Sequence, residues 1–115
     1  MSKDDASYAL AALEHLAVLK SHAASAGAEE TLQFDAICMR LAAAIEDASR
    51  IGETARLRVF GAKWPAMWST RNRITHGYAF VSRDVIAATV ERDLDDFGAG
   101  LSRIVNGSET APGHR

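Results

Sequence analysis

The stretch SRDVIAATVERDLDDFGAGLSRIV, residues 82–105, carries the clearest periodicity in the chain. Ile86, Val90, Leu94, Phe97, Leu101 and Ile104 recur at intervals of 4, 4, 3, 4 and 3, the spacing that lines one face of an α-helix. Ser82 is placed to cap that helix. The stretch therefore predicts one long amphipathic helix over Arg83–Val105, and its apolar stripe must be buried against other helices.

The rest of the chain supplies them. Phe34, Ile37, Cys38, Leu41, Ile45 and Ala48 form a second stripe, in a helix expected from about Glu29 or Thr31 to Ile51 and ended by Gly52. A first helix is expected from Lys3 to about Ala26. Ser2 and Asp5 suit its start, and Gly27 its stop. Its broad apolar side holds Tyr8, Leu10, Leu13, Leu16, Ala17 and Leu19. Pro65 fits the first turn of a further helix that runs to about His76. Gly77 then lets the backbone leave, with access to positive φ. The segment ETARLRVFGAKW (53–64) has room for a short extra helix or a turn. No stretch reads as a strand. The fold class is all-α: an up-and-down bundle of four main helices. One domain is expected over residues 1–106, with a polar, Gly- and Pro-containing tail over 107–115 that is expected to be disordered.

Composition narrows the function. The 115 residues, 48% hydrophobic and 24% charged, suit one globular domain. The N-terminus MSKDDASYAL has acids where a secretion signal needs positive charge and then an apolar run. No apolar run approaches the ~18 residues of a membrane span. The single cysteine, Cys38, lies on an apolar stripe and reads as a buried thiol. Its lack of a partner fits a reducing cytoplasm. Net charge is −2, but residues 50–83 hold seven Lys and Arg against one acid, Glu53. A basic footprint of this kind suits a polyanion; equally, these arginines pair with the acidic helices.

The basic segment contains RNRITHGY, residues 71–78. Asn72 and His76 are four apart and share a helix face, so the amide can orient the imidazole or share a ligand with it. Met67, Arg71, Ile74 and Tyr78 follow at 4, 3 and 4, which puts an arginine on the buried stripe. Such a guanidinium needs a partner. Glu46, Glu53 or Asp35 can provide one; alternatively, Arg71 borders a cleft and awaits an anion. For RNA the chemistry is complete without a cofactor or metal. A histidine exchanges the 2′-OH or 5′-oxygen proton near neutral pH. An arginine holds the phosphate and stabilises the phosphorane. The products are a 2′,3′-cyclic phosphate and a 5′-OH.

RNRITHGY matches the R-N-x-x-x-H-x-Y signature of the HEPN superfamily and resembles its HepT-like toxin branch. The segment FDAICMRLAAAIEDASRIGE (34–53) is similar to the family's second helix, which ends in Ile-Gly-Glu. The Trp and Pro ahead of the motif and VIAATVERDLDDF (85–97) after it also fit, so residues 31–98 carry the resemblance. The resemblance implies a homodimer of helical bundles with Arg and His lining an interface cleft, acting in metal-independent RNA cleavage. It implies a minimal nucleotidyltransferase antitoxin as partner, one that can adenylylate the motif tyrosine. By motif position, the catalytic roles fall on Arg71 and His76, support on Asn72, and support and modification on Tyr78. Arg73 and Lys63, from the same basic segment, are candidate RNA contacts. The alternative is a non-catalytic helical module that dimerises or binds a nucleotide and acts through its partner.

Other features read more plainly. His15 and His22 are seven apart, ~10.5 Å along a helix, too far to share one zinc. Trp64 and Trp68 are packing anchors or base-stacking platforms. Asp93, Asp95 and Asp96 form a solvated face or a docking patch for a basic antitoxin surface.

Overall fold

A computed structural model describes residues 3–25, 27, 29–77 and 81–107. Ser2, Ala26, Tyr78 and the tail from residue 108 lie outside the described residues. Among the described residues every regular element is helical. The elements are α1 (Lys3–Ala23), α2 (Glu30–Ser49), α3 (Glu53–Phe60), a 3-10 turn (Gly61–Lys63), α4 (Trp64–His76), α5 (Arg83–Arg92) and α6 (Leu94–Val105). The all-α expectation holds, and the 53–64 segment contains the short extra helix for which it had room.

Local chemistry sets the boundaries. Glu29 caps α2, accepting from the backbone N–H groups of Thr31 (3.1 Å) and Leu32 (2.8 Å). These bonds, Leu32 first, hold its carboxyl below the usual carboxylate range. Ser82 caps α5 as expected, its hydroxyl accepting from the Val85 N–H at 3.3 Å. Gly61 adopts φ +53, a left-handed turn that glycine permits at the end of α3. Gly77 does not: it leaves α4 at φ −130, so the expected positive φ is absent there.

The helix expected over Arg83–Val105 is two helices. Asp93 closes α5 and opens α6 at φ −105. It still donates to the Thr89 carbonyl (2.9 Å) and accepts from the Phe97 N–H (3.0 Å). The hydrogen-bond ladder thus runs on through a bend. Aspartate, a weak helix former, sits where the stripe changes neighbours. Leu94, Phe97, Leu101 and Ile104 are buried where α6 packs on α1 and α3. At the start of α5, Arg83 lies over the Phe34 ring of α2 at 4.5 Å.

The core lies between α1, α2 and α6. Ala9 and Ala12 of α1 and Ala44 and Ala48 of α2 are fully buried, and small side chains let those two helices approach closely. This corrects the reading of α1. Its buried line is Ala9, Ala12, Leu16 and Leu19, whereas Leu10 is 54% exposed and Ala17 is also exposed. Two polar ties close the ends. The Gly52 N–H donates to Asp5 Oδ1 at 2.9 Å, joining the start of α1 to the turn after α2. Arg56 Nη1 donates to the carbonyls of Ser49 (2.9 Å) and Ile51 (2.7 Å), closing the C-terminal end of α2.

At Gly100, α6 meets α3. A Cβ there would stand 2.6 Å from Val59 Cγ1 and 2.7 Å from Phe60 Cε1. The Phe60 ring is itself fixed edge-on to Phe97 at 5.6 Å. Alanine's better helix propensity, about 1 kcal/mol, is opposed by overpacking of about 1–3 kcal/mol. Gly100→Ala is therefore expected to lower the urea midpoint. An unchanged or higher midpoint would show that Val59 and Phe60 yield freely.

Candidate active site

An aromatic column leads from the end of α3 into α4. Phe60, Trp64 and Trp68, spaced at i, i+4 and i+8, stack with centroids 6.1 Å apart at each step. Both tryptophans are partly buried against the core, as packing anchors require. The guanidinium of Arg56 covers Trp64 at 5.0 Å, and that of Arg71 covers Trp68 at 4.7 Å.

Arg71 is held on two further sides. Its Nη2 lies 2.5 Å from Glu46 Oε1 on α2. Its Nη1 donates to Asn72 Oδ1 at 2.9 Å. Of the three acids that its sequence position allowed, Glu46 is the partner. The pair is not sealed: the side chains are 20% and 34% exposed. Glu46 also has Arg50 Nη2 at 3.9 Å. The amide of Asn72 thus serves Arg71; among the described residues it forms no bond to His76.

His76 is the last residue of α4 and is exposed. No hydrogen-bond partner for it stands among the described residues. A histidine there is well placed for the negative end of the helix dipole. Arg71 and His76 are about 7.5 Å apart along the axis and about 140° round it. They therefore do not lie on one face of α4. Arg73 is about 200° round the axis from Arg71. It is exposed on a groove of about 340 Å³ with Thr70, Val81 and Ser82. Lys63 pairs with Asp96 at 3.4 Å, both highly exposed. Tyr78 lies outside the described residues. Arg71, Asn72, Arg73 and His76 thus share α4, whereas Lys63 precedes it in the 3-10 turn.

Much of the basic footprint is engaged within the fold. Arg50 meets Asp47 at 3.4 Å, Arg56 caps α2 and Arg83 covers Phe34. Arg58 and Arg73 are exposed. The acidic face is partly paired: Asp95 meets Lys20 and Asp96 meets Lys63 across exposed gaps of 3.4 Å. Such surface pairs contribute little and open readily.

Between α2 and α4 lies a shallow groove of about 410 Å³ lined by Asp35, Met39, Ala42, Ile74 and Thr75. Met39 is 72% exposed. Sequence reasoning missed this face because Met39 lies off the stripe that defined α2. It also missed a cluster on α1 and α2. Arg40 Nη1 approaches His15 Nδ1 at 2.9 Å, and His15 Nε2 approaches Asp47 Oδ2 at 3.3 Å. Arg40 and Asp47 are seven apart on α2, which was the available signal. Among the described residues no group of three metal-ligating side chains converges, and no helix is long and apolar enough to cross a membrane.

A family model described as Ribonuclease HepT-like matches residues 11–104. That span includes Glu46, Arg71 and His76. No curated protein and no solved structure matches the chain.

Cys38 is fully buried. Desolvation first, then the charge of Asp35, pushes its thiol up to about 11, against a small opposing effect of Arg83. The folded state therefore favours the neutral thiol. That contribution to stability is intact below the ordinary value of 9.0 and is lost as pH rises through about 11. Thiolate absorbance of the native protein should appear only near pH 11, and a thiol reagent at pH 8 should react only after unfolding. Rapid reaction of the native protein would contradict this.

Proposed function

This chain belongs to the HepT-like ribonuclease family, and from that premise we propose that it is the toxin of a toxin–antitoxin pair, a metal-independent endoribonuclease of the cytoplasm. The observation that carries the reading is that one helix bears both a partly exposed, tethered guanidinium, Arg71, and an exposed terminal imidazole, His76. RNA supplies its own nucleophile. One His76 takes the proton of the 2′-OH as that oxygen attacks phosphorus. The 5′-oxygen leaves with a proton from a second imidazole. Arg71 binds the phosphate and stabilises the phosphorane charge.

One histidine per chain does not suffice for both proton transfers. A two-fold dimer brings a second His76 and a second Arg71 to the same cleft. The α2–α4 groove with exposed Met39 is lined on the α4 side by Ile74 and Thr75, which lie between Arg71 and His76 in the chain, and supports the seating of a second copy there. Arg73, on the other side of α4, follows the RNA backbone as it leaves the cleft. Lys63 joins it when its surface pair with Asp96 opens. A nucleotidyltransferase antitoxin neutralises the enzyme by adenylylating Tyr78; the added bulk and negative charge repel RNA.

One observation favours the non-catalytic alternative: Glu46 occupies Arg71, as a purely structural ion pair would. The same experiment separates the two. The purified dimer should cut RNA in EDTA, leaving 2′,3′-cyclic phosphate ends. Arg71→Ala and His76→Ala should each lower the rate by about 10²-fold or more with sedimentation unchanged. A parent that cuts no RNA, with dimers lost in the two variants, would instead establish the structural module. Incubation with ATP and a partner nucleotidyltransferase should add one or more AMP units to Tyr78. An unmodified Tyr78 would count against that mode of control.

A further inference from the structure

We propose that Glu46 is a positioning residue that fixes the guanidinium of Arg71 for phosphate binding, rather than a counter-ion that merely neutralises it. The inference rests on the reading of Arg71 as the phosphate-binding group and adds a residue that the motif does not contain.

Neutralising a charge needs one carboxylate; the restraint on Arg71 is larger. One edge meets Glu46 at 2.5 Å, another meets Asn72 at 2.9 Å, and the ring of Trp68 lies 4.7 Å from Cζ. Trp68 and Asn72 belong to α4 itself, so they cannot set the position of Arg71 relative to the rest of the bundle. Glu46 can, because it stands on α2. It is also braced, one turn on along α2, by Arg50 at 3.9 Å. An arginine has five N–H donors. The two contacts leave donors for a phosphate, and the partial exposure of the pair leaves a route to them. A free arginine surrenders rotamer freedom when it grips a phosphate. Here that freedom is removed during folding, by packing α2 on α4. Positioning of this kind favours the transition state over ground-state binding.

The opposite sign is equally definite. If Glu46 only competes with RNA for the guanidinium, its removal should speed cleavage. The test compares the full-length parent with Glu46→Ala, Glu46→Gln and Arg71→Ala. Alanine suits the helix, and glutamine keeps an acceptor oxygen at the same reach. Nitrogen-edited NMR of arginine side chains reads the restraint directly. The Arg71 Nη–H signals, assigned by their absence in Arg71→Ala, should be separate in the parent and in Glu46→Gln, and averaged in Glu46→Ala. With an RNA substrate, Glu46→Ala should lose about ten- to a hundredfold in kcat, with KM within about twofold, and Glu46→Gln should recover most of it. Separate Nη–H signals in Glu46→Ala, or cleavage at or above the parental rate, would overturn the proposal. Arg71→Ala distinguishes the failures. Full cleavage in that variant removes the site itself. Loss there beside parental activity in Glu46→Ala removes only the role of Glu46.

Discussion

The contact between Glu46 and Arg71 decides how this small bundle can host chemistry. Helix α4 turns an arginine toward a neighbouring helix, where a leucine would pack without difficulty. A guanidinium there is tolerable only with a carboxylate opposite it, and α2 supplies one at 2.5 Å. The rest of α4 is arranged around that pair. Two tryptophans anchor the helix, Trp68 gives Arg71 a flat surface, and Asn72 accepts from its Nη1. One and a half turns on, the helix ends and His76 is left in solvent. One helix thus carries a braced guanidinium and an exposed imidazole. That division suits phosphate chemistry, in which the charge must be held and the proton must be exchanged.

Parts of this arrangement were legible in the sequence and parts were not. The buried stripe of α2 and the Ser82 cap follow directly from residue spacing, because large apolar side chains and a capping hydroxyl report their own environment. The stripe in residues 86–104 was read correctly, but its continuity concealed the bend at Asp93. A turn that preserves both the hydrogen-bond ladder and the spacing leaves no gap in the pattern. Helix α1 was harder. Its contact surface is built from Ala9 and Ala12, whereas its larger residues, Leu10 among them, drew the expected face too broadly. Small residues mark close approach, and close approach depends on a partner that one helix cannot reveal.

On α4, the apolar spacing places Arg71 on the buried stripe and limits its partner to three acids. The choice of Glu46 depends on how α2 and α4 align, which no local rule determines. The basic footprint misled in one respect. Counted along the chain it appears as one surface, yet Arg56 caps a helix and Arg50 pairs within its own. A sum of charges does not record which of them are already engaged. The exposed Met39 is not legible for a related reason: a single methionine outside a stripe is unremarkable until the fold places it on the rim of a groove.

Membership of the HepT-like ribonuclease family and a single His76 per chain meet in one claim, that two copies together build each working cleft. Co-refolding the parent with increasing amounts of His76→Ala, at constant total protein, tests it directly. If both imidazoles of a dimer are needed, mixed dimers are inactive, and RNA cleavage should fall as the square of the parental fraction. A linear fall would mean that each chain cuts alone, and the account of a shared cleft would be wrong.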